Sequence, residues 1–133
     1  MRRARVRIAL VVDDDPRCRA MVARALSALG YAVLEARDGY QAIGLLCRRW
    51  RDLAFLIVDS QMPGVHGWEV IRFARMKAPR VRVLRLGCRG DSPPGPGYAG
   101  LEAVPALAKP FTEEQLEEVL RWRQPRPKAR DAM

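Results

Sequence analysis

Apolar positions along this chain follow two periods, one suited to buried strands and one to helices. Ile8–Val12 is a short apolar, β-branched run and reads as a strand, stopped by Asp13, Asp14, Asp15 and Pro16. Pro16 suits the first position of a helix, where its missing N–H is no loss, and Asp15 suits the cap. Met21, Val22, Ala25, Leu26 and Leu29 then share one helical face, and Gly30 ends it. Tyr31–Leu34 predicts a second strand, and Asp38–Gly39 a turn. Ala42, Ile43, Leu45, Leu46 and Trp50 mark a second helix. Leu53–Val58 is a third strand, and residues 62–67 a loop. Trp68, Val70, Ile71 and Ala74 begin a third helix that stops before Pro79. Val81–Leu86 is a fourth strand, interrupted by Arg82 and Arg85, and residues 101–108 contain a fifth. Thr112 opens a last helix as a capping box with Gln115, and Leu116, Val119 and Leu120 supply its buried face.

Strands alternating with helices through short loops imply βαβ units: a doubly wound α/β domain, its parallel sheet covered by helices on both faces. One helix is missing. Between the fourth and fifth strands stands RGDSPPGPGYAG, residues 89–100, with three prolines and four glycines. Proline lacks the N–H a helix needs and glycine is entropically costly in one. The fourth helix is therefore expected to be short or replaced by a loop, with at most a helical turn at 98–103. No internal repeat is visible, and Pro125 and Pro127 mark the end of the folded part.

The 133 residues suit one domain with one core, and no apolar run nears the roughly 20 residues that span a bilayer. The basic start MRRARVRIALVV is followed at once by acids, unlike a signal peptide, so a cytoplasmic protein with no membrane partner is expected. Cys18, Cys47 and Cys88 form no CxxC pair, and the single His66 offers no zinc constellation; three reduced, mostly packed thiols are expected. The net charge of +9 is concentrated at the ends: residues 1–7 and 121–133 together supply +8. The body is nearly neutral. Residues 1–5 and 122–133 read as basic tails, the second containing proline and expected to be disordered. A basic tail can hold nucleic acid through charge alone, but here it reads first as a solvated segment. Arg outnumbers Lys by 21 to 3. His66 is expected to be an exposed loop residue, and Trp68 and Trp122 either exposed contacts or helix packing.

Candidate chemistry lies at the carboxyl ends of the strands, where open α/β sheets form their sites. The first strand ends at Asp13, Asp14 and Asp15, the third at Asp59 in LIVDSQMPG, and the fifth at Lys109 and Pro110. Clustered carboxylates raise one another's pKa unless a cation intervenes. A few oxygen ligands suit Mg²⁺, which keeps several waters and seeks phosphate oxygens. Lysine holds a carboxylate or a phosphoryl oxygen as a point charge, and an aspartate can itself attack phosphorus. Together these are the parts of a phosphoryl-accepting site.

VVDDDP, LIVDSQMPG and AKPF, in this order, resemble the response regulator receiver domain of two-component signalling, similar to the chemotaxis receivers, over residues 6–121. The family pattern is an acidic pair after the first strand, D-x-x-M-P-G-x-x-G after the third and K-P-F after the fifth. The resemblance implies a flavodoxin-like five-stranded sheet of order 2-1-3-4-5. It implies that Asp59 is the phosphoacceptor, that Asp13 and Asp14 hold Mg²⁺ together with Asp59 and the main-chain carbonyl of Gln61, and that Lys109 contacts the phosphoryl group. It also implies a cis bond before Pro110. The phosphoryl donor would be a histidine kinase or phosphotransfer protein, and the output an unidentified protein partner. A homodimer is compatible with the family, and a signalling module rather than an enzyme is expected.

Three features depart from the pattern. The family places Thr or Ser at the end of the fourth strand; 22 residues before Lys109 this chain has Gly87, followed by Cys88, whose thiol is a weak donor. The usual switch aromatic, three residues before the lysine, is Ala106. The Pro/Gly segment replaces most of the fourth helix. The chain thus keeps the chemistry of acceptance and loses the usual means of reporting it. Its response to phosphorylation is expected to be weak or to run through other contacts, such as backbone amides at Gly87 and Cys88. With no output domain expected after residue 121, the leading expectation is a single-domain receiver in a phosphorelay. The alternative is a pseudo-receiver, an interaction module working without phosphate; a basic-tail nucleic-acid binder ranks below both. A phosphatase of the haloacid dehalogenase type would need a second aspartate two residues after the nucleophile, where this chain has Gln61.

Overall fold

The computed structural model describes residues 6–123. Five strands, β1 (Ile8–Val12), β2 (Ala32–Ala36), β3 (Leu53–Asp59), β4 (Arg82–Gly87) and β5 (Ala106–Ala108), form one parallel sheet in the order β2-β1-β3-β4-β5. Four helices, α1 (Pro16–Ala28), α2 (Gly39–Arg49), α3 (Gly67–Lys77) and α4 (Glu113–Arg123), cover it. Both faces are buried, which explains why the strands read as continuous apolar runs. Alternate strand residues feed two cores. Leu10, Val12, Leu56, Val58 and Val83 pack with α2 and α3 through Leu46, Ile71 and Trp68. Val11, Phe55, Ile57, Leu84 and Leu86 pack with α1 and α4 through Val22, Leu26, Leu116 and Leu120.

The helix starts are set by side chains that accept otherwise unpaired N–H groups. Asp15 accepts from the Arg17 N–H at 3.0 Å, and Asp38 from Gln41 at 2.8 Å. Asp38–Gly39 is thus the start of α2, where a turn was expected. At α4 the capping box is reciprocal: Thr112 Oγ1 accepts from Gln115 N at 3.1 Å, and Gln115 Oε1 from Thr112 N at 2.8 Å. His66, expected to be a plain exposed loop residue, caps α3: its Nδ1 accepts from the Glu69 N–H at 3.2 Å.

Between β4 and β5 the chain makes two short 3-10 turns, Pro96–Tyr98 and Leu101–Ala103, in place of a helix. The first begins two residues earlier than the expected turn. β2 starts at Ala32 and runs to Ala36, one residue later and two residues further than its pattern indicated, and Tyr31 just before it is buried against Phe55, ring centroids 6.0 Å apart. Trp122 and Arg123 belong to α4, so the expected tail boundary at residue 122 falls inside a helix. The remaining expected tail segments, 1–5 and 124–133, lie outside the described residues. Trp68 is buried and Trp122 is exposed. The expectation of mostly packed cysteines fails: Cys47 and Cys88 are exposed and only Cys18 is half-buried. Cys47 sits on the outer face of α2, and Cys88 lies past the end of β4. Among the described residues, no helix is long and apolar enough to cross a membrane.

Candidate functional site

The sheet brings together the carboxyl ends of β1, β3 and β5. Asp13, directly after β1, is fully buried. Its Oδ1 accepts from the Asp15 N–H at 2.9 Å and its Oδ2 from Lys109 Nζ at 2.9 Å. Asp59 closes β3 and is 4% exposed; its Oδ1 accepts from the Gln61 N–H at 3.0 Å and its Oδ2 from Lys109 Nζ at 3.1 Å. Lys109 is held by its own N–H, which donates to the Gly87 carbonyl at 2.8 Å, and is followed by a cis bond to Pro110. Asp14 is exposed at the rim, and single oxygens of Asp13, Asp14 and Asp59 all lie within 4.8 Å of one another.

The loop after Asp59 requires its glycines. Gly64 has φ +75, a left-handed conformation that side chains disfavour. At Gly67 a Cβ would collide with the Asp59 carbonyl and lie 2.6 Å from Ser60 Cα. The first turn of α3 can therefore rest directly on the backbone of the acid that ends β3, with the Gly67 N–H donating to the Ser60 carbonyl at 3.2 Å.

Three carboxylates face one ammonium. Burial raises the pKa of Asp59 above its ordinary value, against the lowering effect of the Gln61 N–H and Lys109. Burial alone would lower Lys109, but Asp13, by hydrogen bond and charge, and Asp59 outweigh it and raise it. The two shifts have different causes: burial dominates at Asp59, and the paired carboxylates together outweigh it at Lys109. A single lysine shared by two acids is well compensated itself and leaves Asp59 short of positive charge. The site therefore has the donor set and the charge deficit for a hard dication: all-oxygen ligands and three acids against one base. Burial, and then the Asp13 carboxylate, push the Cys18 thiol up to about 12.

The two altered positions differ in character. Ala106, at the start of β5, is exposed and fills nothing. Gly87, at the end of β4, is crowded: a Cβ there would lie 2.6 Å from an Arg85 guanidinium nitrogen, 2.9 Å from Asp91 Oδ2, and nearer still to the Ser60 hydroxyl. Arg85 NH1 pairs with Asp91 Oδ2 at 3.0 Å, and the guanidinium lies 4.6 Å from the centroid of the Trp68 ring. Asp91 also accepts from the Ser60 hydroxyl, and from Gln61 Nε2 at 3.0 Å. The sequence reading missed this cluster. Its signal was Arg85 itself, because a charge inside a strand buried on both faces must have a partner.

A doubly wound sheet with an acidic crevice and one lysine at its carboxyl edge defines a class of flavodoxin-like α/β modules. The family model of the response regulator receiver domain matches residues 9–121, and the chain belongs to that family. Such domains are the receivers of two-component signalling, and generally bind Mg²⁺ in an acidic pocket. The response regulator MprA of Mycobacterium bovis (strain BCG / Pasteur 1173P2) is 39% identical over 125 residues, covering 92% of this chain and 53% of that one. The chain thus spans about half the length of the curated relatives it matches. Vibrio cholerae chemotaxis protein CheY4 superposes with TM-score 0.72 at 28% identity, covering 89% of this chain and 98% of that one. A response regulator protein from Burkholderia pseudomallei, solved with a phosphorylated aspartic acid, calcium ion and citrate, superposes with TM-score 0.70 at 27% identity, covering 89% and 66%.

Proposed function

We propose that this receiver accepts a phosphoryl group on Asp59 from a histidine kinase or phosphotransfer protein and signals by contact with another protein. The observation that carries the reading is the position of Lys109, whose Nζ lies 3.1 Å from Asp59 and 2.9 Å from Asp13 at the mouth of the sheet. In the transfer, an Asp59 carboxylate oxygen forms the new P–O bond while the P–N bond of the donor phosphohistidine breaks. The leaving imidazole nitrogen takes a proton, and Lys109 offsets charge on the phosphoryl oxygens. Asp13, Asp14, Asp59 and the Gln61 carbonyl would hold Mg²⁺, which when bound supplies further positive charge to those oxygens. Asp59 acts once per phosphoryl group, so the chain is read as a stoichiometric acceptor, not an enzyme. The phosphorylated aspartic acid of the Burkholderia pseudomallei relative supports the same chemistry.

A second reading, an interaction module independent of phosphate, is favoured by Gly87, which carries no switch hydroxyl and stands in a crowded place. Intact mass after incubation with acetyl phosphate and Mg²⁺ separates the two. A gain of one phosphoryl group, absent in Asp59→Asn, is expected. No gain in the folded wild-type chain refutes acceptance and leaves the phosphate-independent module.

A further inference from the structure

Residues 88–100 replace a helix, yet they are tied down at two points. Tyr98 donates its hydroxyl to Glu69 Oε2 at 2.6 Å, under the guanidinium of Arg72. Asp91 is the other tie, with only 6% of its side chain exposed, and it leads back to the acceptor. Ser60 and Gln61, the two residues after Asp59, both donate side-chain hydrogen bonds to the Asp91 carboxylate. Gln61 grips both acids, with its main-chain N–H on Asp59 Oδ1 and its side-chain amide on Asp91 Oδ1. The Ser60 hydroxyl occupies the space that a side chain at residue 87 would fill.

We propose that Asp91, held by Arg85, is a positioning residue for the acceptor loop, and that through Ser60 and Gln61 it couples phosphoryl occupancy of Asp59 to the state of residues 88–98. This rests on the reading of Asp59 as the acceptor. A phosphoryl group brings strong acceptor oxygens beside Ser60 and Gln61, which compete with Asp91 for the same donors. Asp91 meets Arg85 through NH1 alone, and its other oxygen also lies 3.4 Å from Trp68 Nε1. Freed from Ser60 and Gln61, the carboxylate can swing on that single Arg85 contact toward the end-on pair that carboxylates commonly make with the two terminal nitrogens of arginine. The segment that begins at Arg89 then moves with it. Coupling of this kind is reciprocal: whatever loosens the segment also changes the readiness of Asp59.

The test combines intact mass with hydrogen exchange of the full chain, with and without acetyl phosphate and Mg²⁺. In the wild type, the gain of a phosphoryl group is expected to change exchange across residues 88–98 by at least about fivefold, the low end of typical coupling. Asp91→Asn is expected to gain the group at a changed rate, with exchange the same before and after. Gln61→Ala, which keeps its main-chain N–H and carbonyl and leaves the Arg85–Asp91 pair intact, is expected to lose the coupling too, and serves if Asp91→Asn does not fold. Phosphorylated wild type with unchanged exchange at 88–98 overturns the coupling alone. So does a variant whose segment responds as fully as the wild type. Absence of any mass gain in the wild type removes the acceptor reading, and the coupling with it.

Discussion

Placing an alanine at position 87 should destabilise the protein, although on backbone grounds it should help. Gly87 ends β4 with no positive φ, and Gly→Ala at such a site ordinarily gains about 0.4–1 kcal/mol by restricting the unfolded chain. Here the added carbon would lie 2.6 Å from Arg85 and 2.9 Å from Asp91, and would overlap the Ser60 hydroxyl. Arg85 has little room to yield, since its guanidinium is stacked 4.6 Å from the Trp68 centroid. Overpacking of this kind costs about 1–3 kcal/mol. Turning Ser60 away also removes a donor from a nearly buried carboxylate, so the net loss should be about 1–2 kcal/mol. A shift of the urea midpoint at constant slope measures it, and a fall in Tm of roughly 5–10 °C should accompany it. In a Ser60→Ala background the worst contact is gone, and the same change should cost about 1 kcal/mol less. Gly87→Ala as stable as the wild type, or a penalty indifferent to Ser60, would refute the claim that this cluster fills the place of the missing side chain.

Two further outcomes follow from the electrostatics of the crevice. Lys109→Met leaves Asp13 and Asp59 buried without their shared cation and should lose roughly 2–3 kcal/mol at pH 7, short of the 3–5 typical of a fully buried pair because the Lys109 side chain is 27% exposed. Urea unfolding reads the loss, and an unchanged midpoint would count against Lys109 as the compensating charge. Asp59→Asn should stabilise the chain most above the raised pKa of Asp59. Protonated Asp59 is the form the fold favours, so its contribution is fully present below the unfolded value, near 3.8, and is lost as pH rises through the higher folded value. The midpoint gap between variant and wild type should therefore be wider at pH 7 than near pH 3.5; a gap that narrows as pH rises reverses the assignment of burial as the dominant cause.

The elements and their order were legible in the sequence because they depend on near neighbours. β-branched runs, capping residues such as Asp15 and Thr112, and the Pro/Gly content of 89–100 act within a turn or two of the chain. The acidic crevice was legible for a related reason: in a doubly wound sheet every strand ends on the same edge, so Asp13, Asp59 and Lys109 had to meet there. Where a local signal was ambiguous, packing decided. His66 and Asp38 became caps because α3 and α2 begin there, and Cys47 was left outside by the face that α2 turns to the core.

Only the tertiary structure decided what replaces the side chain absent at Gly87. The Ser60 hydroxyl, Arg85 and Asp91 come from three separate stretches, and no spacing rule relates them. Their meeting depends on the β3–β4 register, which sets Asp59 beside Leu86, and on Trp68, which forms one wall for the guanidinium. A buried charge in a strand told of a partner somewhere; which acid it was, and that it would also take the hand of the residues following Asp59, depended on contacts that exist only once the chain has folded.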